Sequence, residues 1–190
     1  MNLTMPAARN LCSFLLVIAL GGTSLSAVAA TDAASESFFA NVRKLCGARF
    51  EGTTEFPLEA EHPLVGKKLF ISVEQCGEQE IRIPLQAGED KSRTWILTLS
   101  PKGLLLKHDH RHPDGTPDEV TMYGGWAVEG GTPHRQRFAA DADTAKLIPD
   151  AATNVWTIEI DADKQQLIYA LERHEKPRYK AVFDLKPAAR

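Results

Sequence analysis

Apolar side chains along most of this chain recur at every second position, which is the pattern of half-buried β-strands. Eight runs show this period, and they lie within residues 50–56, 69–73, 81–85, 95–99, 104–106, 156–160, 167–171 and 179–185. Residues 35–46 differ, because Phe38, Val42 and Leu45 recur at steps of four and three. That spacing predicts a short amphipathic helix that stops at Gly47. We therefore expect a mainly β protein of eight or nine strands with one short N-terminal helix.

Several of these runs are joined by short, turn-like segments, which favour antiparallel neighbours. The segments are residues 76–78, 101–103, 161–164 and 176–177. An antiparallel meander with one apolar face buries that face by closing into a barrel or by splitting into a sandwich. We predict the barrel, with the helix at one end. The least regular region is residues 114–154, where pairs such as Gly124-Gly125 and Gly130-Gly131 interrupt the alternation.

The first 30 residues have the three-part pattern of a secretory signal peptide. A polar start with Arg9 precedes an apolar run at residues 11–20 and a small-residue segment that ends in Ala29-Ala30. Ten residues of helix span about 15 Å, half of a hydrocarbon core of roughly 30 Å, so no permanent membrane anchor is expected. We predict a signal peptide at residues 1–30, a single barrel domain at residues 31–190, and a periplasmic or secreted location.

The charge balance excludes one class of function. The chain has 22 Lys and Arg against 25 Asp and Glu, and its formal net charge is −3. A nucleic-acid-binding protein is expected to show a clustered basic surface, which this sequence lacks. We therefore predict no nucleic-acid partner.

Two cysteines, Cys46 and Cys76, remain after removal of the signal peptide. Disulfides persist outside the cytoplasm, so we predict a bond between them. The enclosed loop would stabilise the fold by about 3 to 4 kcal/mol on the chain-entropy model. The alternative, two free thiols that bind a metal or form a redox pair, lacks the close spacing of a CxxC motif.

The segment GLLLKHDHRH at residues 103–112 has the most unusual pattern in the chain. The following side chains share one face of a strand there: Leu104, Leu106, His108, His110 and His112. The intervening residues 107, 109 and 111 are charged and must face water. The inward face thus changes from leucine to histidine, which indicates an apolar floor and a polar mouth in a barrel.

This pattern favours non-catalytic binding of a small, partly apolar molecule inside the barrel. The residues expected to line the site are Leu104 and Leu106 in its deeper part, with His108, His110 and Trp126 nearer the opening. Trp95 and Trp156 are expected in the core or the pocket wall. Imidazoles with an ordinary pKa of about 6.5 would make binding sensitive to mild acid.

A transition-metal site is the first alternative, with His108, His110 and His112 as ligands. Residues two apart on a strand are separated by about 6.6 Å and residues four apart by about 13 Å, whereas Zn–N bonds measure about 2.0 to 2.1 Å. An undistorted strand can therefore supply two of the three ligands, and a third must come from elsewhere. The competing interpretation is a hydrogen-bonded polar barrel end without an ion.

An enzyme of unknown reaction type is a further alternative. The sequence contains no G-x-S-x-G, P-loop or H-E-x-x-H motif, but separated residues such as Asp109, a histidine and Tyr123 could assemble a site. An envelope protein with a protein partner is the last alternative. The charged residues Glu89, Asp90, Lys91 and Arg93 are interpreted as a solvated connector between strands.

Four segments resemble those of small, uncharacterised secreted bacterial proteins: EIRIPLQAGEDKSRTWILT from Glu80, GLLLKHDHRHPDG from Gly103, TMYGG from Thr121 and NVWTIEI from Asn154. The resemblance spans most of the mature chain, and it implies export but no activity, cofactor or site residue. In strand order the chain is also similar to the calycins, the lipocalin-like class of ligand-holding barrels. The Gly-x-Trp motif of many lipocalins is missing, and residues 47–50 read GARF instead.

Overall fold

Ten antiparallel strands close into one barrel in the computed structural model, which describes residue 1, residues 32–57 and residues 62–186. The strands are β1 Arg49–Phe56, β2 Leu69–Ser72, β3 Glu80–Ala87, β4 Asp90–Ser100, β5 Gly103–His110, β6 Tyr123–Ala127, β7 Arg135–Ala140, β8 Asn154–Asp161, β9 Gln166–Arg173 and β10 Lys176–Asp184. Each strand pairs with its neighbour in sequence, and β1 pairs with β10 to close the barrel. The mainly β, antiparallel prediction is confirmed.

The strand count is ten rather than eight or nine, because β6 and β7 lie in the region where the alternation is interrupted. Strand β6 includes Gly124 and Gly125, which cannot contribute to an apolar pattern. Both positions require glycine: a Cβ at Gly124 would lie 2.0 Å from the carbonyl oxygen of Leu106, and one at Gly125 would lie 1.6 Å from that of Ala139. Close backbone packing leaves no room for side chains at these two positions, so the strand lacks the apolar alternation by which a strand is recognised in sequence.

Helix α1, Ala33–Arg43, covers one end of the barrel. The Asp32 carboxylate caps it by accepting a 2.8 Å hydrogen bond from the backbone N–H of Ser35. Its buried residues Phe38, Phe39 and Val42 join the barrel core, and the helix contacts β4, β5 and β7. It precedes the start of β1, so this is the end where β1 begins and β4 finishes. The helix ends four residues before Gly47, because residues 44–47 form turns.

The Cys46–Cys76 disulfide is confirmed, with an S–S distance of 2.12 Å. It joins the chain just after α1 to the segment between β2 and β3. The bond therefore ties the helix connection to the barrel wall at the helix-covered end.

A second helix, α2 at Ala142–Leu147, follows β7, and a single 3₁₀ turn at Pro149–Ala151 leads into β8. The Thr144 hydroxyl fixes α2 to β6, since it accepts from the Gly124 N–H and donates to the Gly124 carbonyl, both at 2.7 Å. The side chain of Asp141 caps α2 and forms a 2.6 Å salt bridge with Lys107 Nζ. These contacts hold α2 against the strands next to it.

The predicted signal peptide and its cleavage sites at Ala29 and Ala30 lie outside the described residues, apart from Met1. In the part of the chain that the structure describes, no helix has the length and apolar character needed to cross a bilayer.

Candidate functional site

A cavity of about 430 Å³ lies at the barrel end opposite helix α1. Seven strands contribute to its wall, namely β3, β4, β5, β6, β8, β9 and β10, together with residues 62–64 and the segment around the 3₁₀ turn. These strands reach the cavity where β4, β8 and β10 begin and where β5 and β9 end. The inward face of the barrel is therefore filled at the helix end and open at the other.

Two aromatic rings from opposite walls meet beneath the cavity. Trp95 on β4 and Tyr169 on β9 stack with a centroid distance of 4.3 Å and an interplanar angle of 13°. Strands β4 and β9 are five positions apart in either direction around the ten-strand barrel. The stack therefore crosses the interior, and both residues also line the cavity. It separates the packed lower core from the open end.

His108 lies in this layer and uses both of its ring nitrogens. Its side chain is almost fully enclosed, with 3% of the residue exposed. Nδ1 lies 3.1 Å from the backbone carbonyl oxygen of Tyr123 and must donate, so in the neutral ring Nε2 accepts the 2.8 Å hydrogen bond from the Tyr169 hydroxyl. Burial lowers the pKa of His108 to about 3. The imidazole is thus neutral, in contrast to the ordinary pKa expected from the sequence.

His110 lies one step nearer the opening and is half-buried. Its Nε2 is 3.0 Å from the hydroxyl of Tyr123, whose ring stacks on His108 at 4.8 Å. Burial and the neighbouring Arg93 charge lower the pKa of His110, and burial raises the pKa of Tyr123 to about 12. Neither side chain is charged near neutral pH.

The positive charges of the cavity wall come from two arginines on opposite walls, Arg93 on β4 and Arg173 on β9. Arg93 forms an ion pair with Asp90. Burial raises the pKa of the Asp90 carboxyl, but hydrogen bonds from Ser92 and Arg93 outweigh this effect and hold that pKa at about 2. Arg173 donates from Nε to the side-chain oxygen of Asn154 at 2.8 Å. That partner is a neutral amide, so the charge of Arg173 is not compensated by it.

The predicted ligand-lining residues take three different positions. His108 and His110 line the cavity. Leu104 and Leu106 are fully buried in the core on the same face, and they are not lining residues. Trp126 does not line the cavity either: it pairs with Leu105, whereas its neighbour Gly125 pairs with the inward Leu106. Because side chains alternate along a strand, Trp126 lies on the outer face.

The three histidines proposed as metal ligands do not converge on one point. His108 is hydrogen-bonded through both nitrogens, and His110 bonds Tyr123. His112 instead lies beside Asp118 and Glu119, where one ligand atom from each residue lies within 4.8 Å of the others. Glu119 is strongly exposed, and its carboxylate is 3.7 Å from His112 Nε2. This group could hold a cation only at the surface.

The residues suggested for a catalytic site are also separated. Asp109 is directed to the opposite side of β5 from His108 and His110, and it binds Arg111 and the Thr121 hydroxyl. A reaction centre that combines Asp109 with these histidines is therefore not assembled.

Arg93, Arg173 and Tyr169 are site residues that were not identified from the sequence. The interpretation of Arg93 as part of a solvated connector is wrong, because its side chain lines the cavity. The pattern contains part of the information: Arg93 is two residues before the inward Trp95, and Arg173 is two residues after Leu171. Strand period alone places both on the inward face, but a charged side chain at a strand end is ordinarily assigned to solvent.

The sequence matches no protein-family model, and it has no significant match among curated proteins.

Proposed function

We propose that this protein is an exported, non-catalytic barrel that binds a small, partly apolar molecule in the cavity at its open end. The cavity itself is the observation that carries the proposal. Its volume of about 430 Å³ falls within the range of roughly 300–1,000 Å³ that is typical of small-molecule sites. Rings such as Trp95, Tyr123 and Trp156 supply an apolar lining, and a few polar groups are available to orient a ligand.

Binding is favoured over catalysis by the protonation states of the wall. General acid–base catalysis works best with groups whose pKa lies near the operating pH. The pKa of His108 is lowered to about 3, that of Tyr123 is raised to about 12, and burial raises the pKa of Tyr169 further. At neutral pH the hydroxyls of Tyr123 and Tyr169 therefore stay protonated, and the imidazole of His108 stays neutral.

The proposal includes a calycin-like identity and a periplasmic or secreted location. A closed antiparallel barrel with an internal cavity is the architecture of that class, and resemblance to small secreted bacterial proteins points to export. The signal-like residues 1–30 and the Cys46–Cys76 bond support the same location, because disulfides persist in oxidising compartments.

A transition-metal function for the HxHxH segment is the second candidate. The observation that favours it is the grouping of His112 with Asp118 and Glu119 at the cavity end of β5. Participation of His108 would require loss of its bond from Tyr169.

The experiment that separates the two candidates is native mass spectrometry combined with elemental analysis of protein purified from the compartment into which it is exported. Ligand binding predicts an organic mass that is released on denaturation. The His112→Ala variant should retain this mass. A near-stoichiometric transition metal that His112→Ala removes, without any organic mass, would overturn the proposal in favour of the metal function.

A further inference from the structure

The cavity has an apolar, preorganised base. The rings of Trp95 and Tyr169 are stacked, and Tyr169 is fixed in place by the bond from its hydroxyl to His108. Trp156 packs against His108 at a centroid distance of 5.1 Å. Since the imidazole is neutral, this layer presents no formal charge to a ligand. It suits the apolar body of a molecule.

The opening of the cavity has the opposite character. Arg93 is two residues nearer the open end than Trp95, and Arg173 is four residues beyond Tyr169, so the Cα atoms of the arginines lie about 6.6 and 13 Å further along their strands. They project from opposite walls and face the space between them. The apolar base and the cationic opening divide the cavity into two zones.

Among the described residues, no acidic side chain is paired with both cations or with Arg173. Asp90 is paired with Arg93, whereas Asp118, the acidic member of the described cavity wall, forms an ion pair with neither arginine and accepts a 2.9 Å hydrogen bond from the backbone N–H of Val120. Among the described residues, Arg173 has no ion-pair partner, and its terminal nitrogens have no hydrogen-bond acceptor. A half-buried guanidinium with free donors is a ready partner for an anion.

We infer that the ligand of the cavity is a small organic anion whose apolar body lies toward the Trp95–Tyr169 stack and whose single carboxylate or sulfonate group binds Arg173. This inference rests on the proposed function and adds the chemical class of the ligand. Arg93 contributes to the same field, but its ion pair with Asp90 makes it the weaker partner. Arg173 therefore determines the preference for an anion.

Two fluorescent probes with the same ring skeleton test the inference. Anilinonaphthalenesulfonate carries one sulfonate group, and N-phenylnaphthylamine is its neutral counterpart. Each is titrated against the purified mature protein by fluorescence, with isothermal calorimetry to give stoichiometry. The wild type should bind the anionic probe about tenfold more tightly than the neutral one, as expected for a charge-assisted contact.

Three variants isolate the contribution of Arg173. Arg173→Gln should weaken binding of the anionic probe about tenfold and change the affinity for the neutral probe less than twofold. Arg173→Lys should retain most of the preference, because it keeps the charge. Arg137→Gln is the matched control: Arg137 is exposed on β7 and pairs with Glu172, so neither probe should be affected. Circular dichroism and urea unfolding verify that each variant is folded.

The possible results separate the two levels of the proposal. Equal affinities of the wild type for both probes, with no effect of Arg173→Gln, overturn the anion preference and leave ligand binding intact. An equal loss of anionic binding in Arg137→Gln also overturns it, since the effect would then come from overall charge. Failure of both probes to bind the wild type contradicts the proposed function itself.

Discussion

The Nε2 atom of His108 on β5 accepts a 2.8 Å hydrogen bond from the hydroxyl of Tyr169 on β9, and it connects two strands that are not neighbours in the barrel. The imidazole is held on its other side by the Tyr123 carbonyl. This pair positions the rings below the cavity and removes an imidazole from the set of available metal ligands.

Tyr169→Phe tests the contribution of this bond to stability. The change keeps the ring that stacks on Trp95 but leaves the buried Nε2 of His108 without its donor. We expect a loss of about 1 to 3 kcal/mol in the free energy of unfolding, measured in urea. Tyr123→Phe is the control, and it should cost less because its partner His110 is only half-buried. An unchanged unfolding midpoint for Tyr169→Phe would contradict the assigned bond.

The buried imidazole also predicts how stability depends on pH. The pKa of His108 is about 3 in the folded protein, whereas an unfolded histidine titrates near its ordinary value of 6.5. Between these values the unfolded state binds the extra proton, so stability falls as the pH decreases from 6.5 toward 3 and is unaffected by this group above 6.5.

Urea unfolding at several pH values checks this dependence. The contribution of His108 approaches about 1.4 kcal/mol per pH unit within that window. His108→Gln should therefore show a shallower decrease than the wild type, even though its stability at neutral pH is lower. Parallel pH profiles for the two proteins would show that His108 is not the group responsible.

Removal of the disulfide should lower the stability of the protein substantially. Replacing both Cys46 and Cys76 by alanine opens a loop with a sequence separation of 30. We expect a loss of about 3 to 4 kcal/mol on the chain-entropy model. Urea unfolding of the oxidised wild type and of the double variant gives this difference, and peptide mapping without reduction identifies the bond directly. Two freely alkylated thiols in the native protein would be incompatible with the structure.

The fold was predictable wherever one strand face is continuously apolar. Trp156, Ile158 and Ile160 mark β8, and Leu167 and Tyr169 mark β9, since alternate side chains must enter the same core. Strands β6 and β7 gave no such pattern. Their form depends on close contacts with residues distant in sequence, as at Gly125, and local periodicity does not record such contacts.

The candidate site was predictable only in part. The alternation along β5 correctly places His108 and His110 at the open end of the barrel wall. The roles of Arg93 and Arg173 depend on which strands face each other across the barrel, and this relationship is not visible in a single segment. The lowered pKa of His108 likewise follows from burial by several elements, not from its neighbours in sequence.

The central claim is that the cavity at the open end holds a small, partly apolar molecule. Leu171→Trp adds bulk to a half-buried residue of the cavity wall, whereas Ile168→Trp adds the same bulk to the outer face of the same strand, β9. The second variant is therefore the matched control for effects on folding and surface hydrophobicity.

Equilibrium binding of the neutral probe N-phenylnaphthylamine to these two variants and the wild type tests the claim most directly. We predict one site in the wild type, similar affinity in Ile168→Trp, and a loss of at least about tenfold in Leu171→Trp, because the tryptophan occupies the ligand's space. Binding of unchanged affinity and stoichiometry in a folded Leu171→Trp variant would contradict the account.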